Sequence, residues 1–181
     1  MKDVPDVIPR LISLEDNERL EEVLSLGEVR QTIYDMDGSS AAGPDGFTRR
    51  FFSATWEIVG GDVYNAVQSF FCGAELPRQV TATSIVLLPK VQKPQEFSQF
   101  RPISLCNFVN KIFSKILARR LAPLLPKIIS PNQSGFVRER SISDNYLLAQ
   151  EVIAGIKRKA RGENVVFKLD MTKTYDRVTW P

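Results

Sequence analysis

Histidine is missing from the 181 residues altogether, and cysteine occurs only twice, at Cys72 and Cys106, far apart in the chain. The first absence removes histidine-based triads and imidazole zinc sites, and the second leaves no material for a disulfide framework. Any metal must then be held by oxygen, which points to magnesium or a similar hard cation. No uninterrupted apolar run is long enough to span a bilayer, and the opening Met1-Lys2-Asp3-Val4-Pro5 lacks the apolar stretch of a signal peptide. An intracellular setting, nucleus or cytoplasm, with no membrane partner is the expectation. There is no internal repeat and no low-complexity segment. Strong charge of either sign is also lacking: the net charge is +3, which permits nucleic-acid binding without demanding it. The cations nevertheless cluster, at Lys111, Lys115, Arg119 and Arg120, at Arg138 and Arg140, and at Lys157, Arg158, Lys159 and Arg161. Taken singly, each run reads first as a solvated helix face.

What is present is ordinary globular composition, 43% hydrophobic and 25% charged, enough for one real core. Residues 1–24 carry Pro5, Pro9 and an acidic cluster, and read as a loosely ordered lead-in with one or two helical turns. Ser25 to Glu28 has capping-box spacing and Val29, Ile33 and Met36 recur at helical intervals, which predicts a helix from Leu26 to about Asp37. Gly38 to Gly46, with Ala42-Gly43-Pro44-Asp45-Gly46, makes a defined bend; the Lys-Ser/Thr of a P-loop does not follow it. Phe47, Phe51, Phe52 and Trp56 form an aromatic stripe that reads as core rather than as a base-stacking platform. After Gly60-Gly61 a helix is expected over Asp62–Cys72, with Val63, Ala66, Val67, Phe70 and Phe71 inward.

Ser84 to Pro89 reads as a strand, residues 91–99 as a hairpin connection, and Phe100 to Leu105 as the returning strand, with Pro102 marking an edge. Lys90 and Arg101 then lie near each other on the two arms. They are generic surface charges, or a pair able to grip a triphosphate, Lys as a point charge and Arg as a fork. Asn107 to about Pro126 is the longest helical pattern, with Phe108, Ile112, Ile116 and Leu117 on its apolar side and a kink or end at Pro123. Ser130-Pro131-Asn132 is a turn, Gln133 to Val137 a brief extended piece, and Ser143-Asp144 caps a helix to about Ala160 that buries Leu147, Leu148, Val152 and Ile153. Arg161 to Asn164 turns the chain into a final strand, Val165 to Leu169, ending at Asp170. A carboxylate there is costly unless it is hydrogen-bonded or neutralised by a cation, so Asp170 is either a metal or phosphate-chemistry residue or the N-cap of the following helical turn.

Taken in order, these segments resemble the reverse transcriptases of non-LTR (LINE-type) retrotransposons, in plant-like form. The likeness is carried by Ala41-Ala42-Gly43-Pro44-Asp45-Gly46, Leu88-Pro89-Lys90, Phe100-Arg101-Pro102-Ile103-Ser104-Leu105-Cys106-Asn107, Ile129 to Val137, Asp144-Asn145 and Lys168-Leu169-Asp170-Met171, and runs from about residue 25 to the end. The resemblance implies an α+β fold, a right-hand polymerase fingers hairpin and helices with the first part of an antiparallel palm sheet, truncated, over residues 25–181. It implies an RNA-directed DNA polymerase with RNA template, DNA primer and dNTP as partners and Mg2+ (or Mn2+) as cofactor. Asp170 would be the first catalytic aspartate and, with the Met171 carbonyl, a metal ligand. Lys90 and Arg101 would hold the triphosphate, with Lys173, Thr174 and Tyr175 beside the nucleotide, Tyr175 under its sugar. Gln133, Arg138 and Arg140 would contact the template strand.

Three positions depart from the family pattern: Thr174 stands for the usual Ala, Glu139 for a glycine between the two arginines, and Ala42 for a frequent proline. No Tyr/Phe-x-Asp-Asp motif follows Asp170, and one Asp cannot hold two ions, so the isolated chain is expected to be inactive. The alternatives are a non-catalytic nucleic-acid-binding remnant and a functionless transposon-derived fragment.

Overall fold

The structure, a computed structural model, describes residues 11–156 together with 165, 167 and 169. The chain divides into two compact units, Met1–Ile129 and Ser130–Pro181, where the sequence drew one domain from residue 25 onward.

The first unit is a helical core with a hairpin. Helix α1 (Leu14–Glu21) opens with a complete capping box between Ser13 and Asp16, which satisfies two backbone donors that a helix N-terminus leaves unpaired. It is fastened rather than loose. The Lys127 ammonium lies 2.8 Å from both oxygens of the buried Asp16 carboxylate, and Arg120 donates to the carbonyls of Leu20 and Glu22 at 3.0 and 2.6 Å. The lead-in expected to be loosely ordered is therefore, over its described residues, an attached helix. The acidic run hid this because the partners are a hundred residues away.

Helix α2 (Leu26–Tyr34) is capped by Ser25 and buries Val29, Thr32 and Ile33. Two helices follow, α3 (Arg49–Ala54) and α4 (Trp56–Phe71). Gly60-Gly61 does not interrupt α4, contrary to expectation, because Gly60 is a packing notch. A Cβ there would lie 2.8 Å from the Trp56 indole one turn earlier. The aromatic stripe is split: Phe52 and Trp56 are buried, while Phe47 and Phe51 are exposed and meet as a tilted pair with centroids 4.4 Å apart. Ala66 is exposed as well, and Phe70 and Phe71 are only half-buried.

After the short α5 (Arg78–Thr81), β1 (Thr83–Pro89) and β2 (Phe100–Cys106) form an antiparallel pair joined through a 3-10 turn at Phe97–Gln99. Helix α6 (Phe108–Leu121) then runs through the core, burying Phe108, Ile112, Phe113 and Ile116. Leu117, expected among them, is exposed. Phe108 stacks on Phe52 at 4.9 Å and Phe113 meets Phe70 at 4.6 Å, and each such side chain contributes roughly 1.5–3 kcal/mol by leaving water. The helix stops two residues before Pro123, and α7 (Leu125–Ile128) restarts with proline in its first turn.

In the second unit, the described residues form a turn-rich loop and α8 (Ile142–Gly155), capped by Ser141 rather than Ser143. No residue of α8 is buried. Leu147, Leu148, Val152 and Ile153, expected inside, are 60, 59, 50 and 59% exposed, because no other described element of this unit lies over them. The end of this helix near Ala160 and the turn at residues 161–164 lie outside the described residues; of the expected final strand only Val165, Phe167 and Leu169 are described, and none of the three is in a strand. Among the described residues, no helix is long and apolar enough to cross a membrane.

Candidate functional site

The hairpin presents the first group of expected site residues. Its register runs unbroken from Thr83 opposite Cys106 to Pro89 opposite Phe100, and the Lys90 amide extends the ladder by donating to the Gln99 carbonyl at 2.7 Å. Alternation therefore puts Val86, Leu88 and Lys90 on one face with Arg101 and Ile103. Ile85 and Leu87 share the other face with Pro102 and Ser104. Leu88 is directly opposite Arg101, so Lys90 is the diagonal neighbour of Arg101, a spacing of roughly 7–8 Å between backbones that long side chains close easily. Arg101 is exposed. Lys90 donates one ammonium hydrogen to the Ser98 carbonyl at 2.8 Å; an ammonium carries three, so two remain for a ligand.

The root of the hairpin is fixed by the Ala41–Gly46 bend. A Cβ on Gly43 would lie 2.5 Å from the Asn107 nitrogen and from the Cys106 carbonyl carbon and oxygen, so only glycine permits this backbone-to-backbone approach. Asn107 is buried with both ends of its amide engaged, accepting from the Asp45 amide at 3.1 Å and donating to the Gln79 carbonyl at 2.7 Å. Lys111 closes the bend by donating to the Ala41 carbonyl at 2.7 Å. Two stretches that the sequence offered separately are thus one joint, and Asn107 is the residue sequence reasoning missed. Its signals were its place at the head of a helix pattern and at the end of the Phe100–Asn107 stretch that carries the resemblance.

The cations of α6 are engaged inside the unit. Arg119 reaches Asp35 at 3.1 Å, and Arg120 meets Glu28 through two bonds of 3.0 and 2.8 Å in addition to its two carbonyls. With Lys111 on Ala41, three of the four cations of this run are structural.

The loop before α8 carries the second group. Arg140 donates to the carbonyls of Ser130 and Gln133 at 2.6 and 2.7 Å, which pins the loop. Gln133 and Arg138 are exposed, on either side of the buried Ser134 and Val137. The extended piece expected over Gln133–Val137 is broken by a turn at 135–136, and a second turn follows at 138–139; Phe136 and Glu139 both take left-handed backbone, with φ of 64° and 66°. Glycine suits such a position and Glu139 occupies it.

A family model described as reverse transcriptase (RNA-dependent DNA polymerase) matches residues 89–181, from the end of β1 onward. The chain belongs to the reverse transcriptase family. The transposon TX1 uncharacterized 149 kDa protein of Xenopus laevis is 32% identical over 93% of this chain. A retrovirus-related Pol polyprotein from a type-1 retrotransposable element R2 of Bradysia coprophila is 27% identical over 89% of it. The probable RNA-directed DNA polymerase from transposon BS of Drosophila melanogaster is 30% identical over 64%. This reverse transcriptase segment is of the non-LTR type. These three relatives come from a frog and from insects, which lends nothing to a plant-like assignment. The chain spans 13%, 18% and 13% of their lengths.

Reverse transcriptases use divalent metal ions as a family. Among the described residues, no group of three carboxylates or thiols is placed to hold one. Asp170 and Met171, the expected ligands, lie outside the described residues, as do Lys173, Thr174 and Tyr175.

Proposed function

We propose that this reverse transcriptase segment supplies the fingers and the opening of the palm of an RNA-directed DNA polymerase, with its hairpin holding the phosphates of the incoming dNTP. The observation that carries the reading is the register of β1 and β2, which puts Lys90 and Arg101 on one face as diagonal neighbours. A flexible ammonium and a planar guanidinium at that spacing suit the tail of a triphosphate. In the polymerase reaction the primer 3′-hydroxyl bonds to the α-phosphorus and pyrophosphate leaves, so cations on the β- and γ-phosphates hold both substrate and leaving group. Asp170 and the Met171 carbonyl would carry Mg2+ (or Mn2+), with Lys173, Thr174 and Tyr175 beside the nucleotide. Gln133 and Arg138 would face an RNA template paired to a DNA primer. The engagement of Lys111, Arg119 and Arg120 within the unit argues against a basic α6 face as the nucleic-acid surface.

The test is equilibrium binding of a fluorescent dNTP to the chain and to the Lys90→Ala/Arg101→Ala pair. A charge-assisted hydrogen bond contributes about 1.5–3 kcal/mol, so the double variant is expected to bind at least about tenfold more weakly, while binding of the corresponding monophosphate hardly changes. Equal triphosphate binding by both proteins would overturn the reading.

A further inference from the structure

The least economical residue of the described chain is Phe136. Its side chain is 103% exposed, as open to water as in an extended peptide, and its backbone is left-handed at φ 64°. A bulky L-residue adopts that conformation rarely and at a cost, and here no buried contact offsets it. The loop around it is not slack. Ser134 and Val137, two residues before and one after, are buried, and Arg140 staples the carbonyls of Ser130 and Gln133. Anchors on both sides thus hold the ring outward, and Arg138, exposed and without a partner among the described residues, follows two positions on.

We infer that Phe136 is a stacking platform for an unpaired base of single-stranded nucleic acid, with Arg138 on the adjoining phosphate. The inference rests on the reading of the 133–140 loop as template-facing, and assigns its recognition to the base plane rather than to backbone charge alone. An aromatic face accepts any base, which a strand of arbitrary sequence requires. Strain held in place beside an unpaired cation marks a site rather than a defect of packing.

The experiment measures binding of the full chain to a labelled, unstructured single-stranded RNA and to the same backbone bearing abasic sites. Removing one base–aromatic stack weakens binding by roughly 5- to 150-fold. Phe136→Ala is expected to lose that factor on the base-bearing strand and nothing on the abasic one, and Phe136→Trp to keep the affinity. Phe136→Gly should lose the same factor with thermal stability kept or raised, since glycine suits the left-handed position, which separates lost stacking from lost folding. Arg138→Ala should weaken both strands alike and reduce the salt slope by about one. If Arg138→Ala acts and Phe136→Ala does not, stacking is wrong and the template reading stands. If neither changes binding, both fall. An equal loss with Phe136→Ala on both strands would mean an apolar contact without base stacking, and also overturns the proposal.

Discussion

In the first unit Arg120 is clasped by Glu28 and two carbonyls, Lys127 by Asp16, and Lys111 by the Ala41 carbonyl. In the second, Arg140 is engaged in the same way, but Arg138 has no partner among the described residues and the apolar side chains of α8 stand in water. The helical core of the first unit buries its apolar face and engages Lys111, Arg119, Arg120 and Lys127, while the hairpin leaves Arg101 exposed; the second unit leaves an arginine, an aromatic ring and an apolar helix face exposed. Charge clusters that look alike in a sequence thus differ in whether their cations find partners inside the fold. Cations with internal partners hold the fold together, and those without one, Arg138 among them, are where the proposed recognition is sought.

The largest expected effect tests that contrast directly. Ile112 is wholly buried on α6, and Leu148 on α8 is 59% exposed. Ile112→Ala should cost about 2–5 kcal/mol through lost transfer energy and the cavity left behind, whereas Leu148→Ala should stay within about 0.5 kcal/mol. Urea unfolding followed by helical circular dichroism measures both. A Leu148→Ala cost comparable to that of Ile112→Ala would break the comparison, since it would mean that the α8 face is covered in solution.

The hairpin, the bend at Gly43-Pro44, the end of α6 before Pro123 and the bodies of α6 and α8 were legible in the sequence, because each rests on local signals: alternation, turn residues, caps and 3.6-residue periodicity. The joint at Asn107 and the pinning of α1 were not. They depend on partners such as Gly43 with Cys106, or Asp16 with Lys127, that are 63 to 111 positions apart, and no local pattern encodes such a pairing. Gly60 misled for a related reason. A glycine that breaks a helix and one that admits an indole are the same letter. For the site, Lys90 and Arg101 were legible as a pair because hairpin register is a local property. Phe136 was not, since full exposure and a left-handed backbone leave no trace in a Gly-Phe dipeptide, although the expected glycine at 139 was a clue to the turn around it.

A smaller effect probes the first unit's ion pairs. Hydrogen bonds from Lys127, then from the Ser13 amide and hydroxyl, lower the Asp16 pKa from 3.8 to about 2. A carboxylate with a depressed folded pKa contributes stability that is fully present above its unfolded value and is lost as pH falls through its folded value. Melting temperature should therefore drop between about pH 4 and pH 2 in the natural chain. Asp16→Asn should lower it at neutral pH and flatten that acid limb. An unchanged limb in Asp16→Asn would show that the pairing does not hold α1 in solution.

The smallest effect separates the units at the level of the backbone. In the first unit, the left-handed positions with φ of 75° and 93° are Gly46 and Gly73, and in the second those at 64° and 66° are Phe136 and Glu139. Placing an L-residue there costs roughly 1–2 kcal/mol, of which glycine's greater freedom in the unfolded chain returns about 0.5–1 kcal/mol. Glu139→Gly should thus stabilise the chain by up to about 1 kcal/mol, and Gly46→Ala should destabilise it by a similar amount. Opposite signs in paired chemical melts would show that the second unit retains backbone strain that the first avoids. If Glu139→Gly also weakened single-stranded RNA binding, the strained turn itself would be implicated in aiming Arg138, because removing a negative charge from that loop should otherwise strengthen the attraction to phosphate.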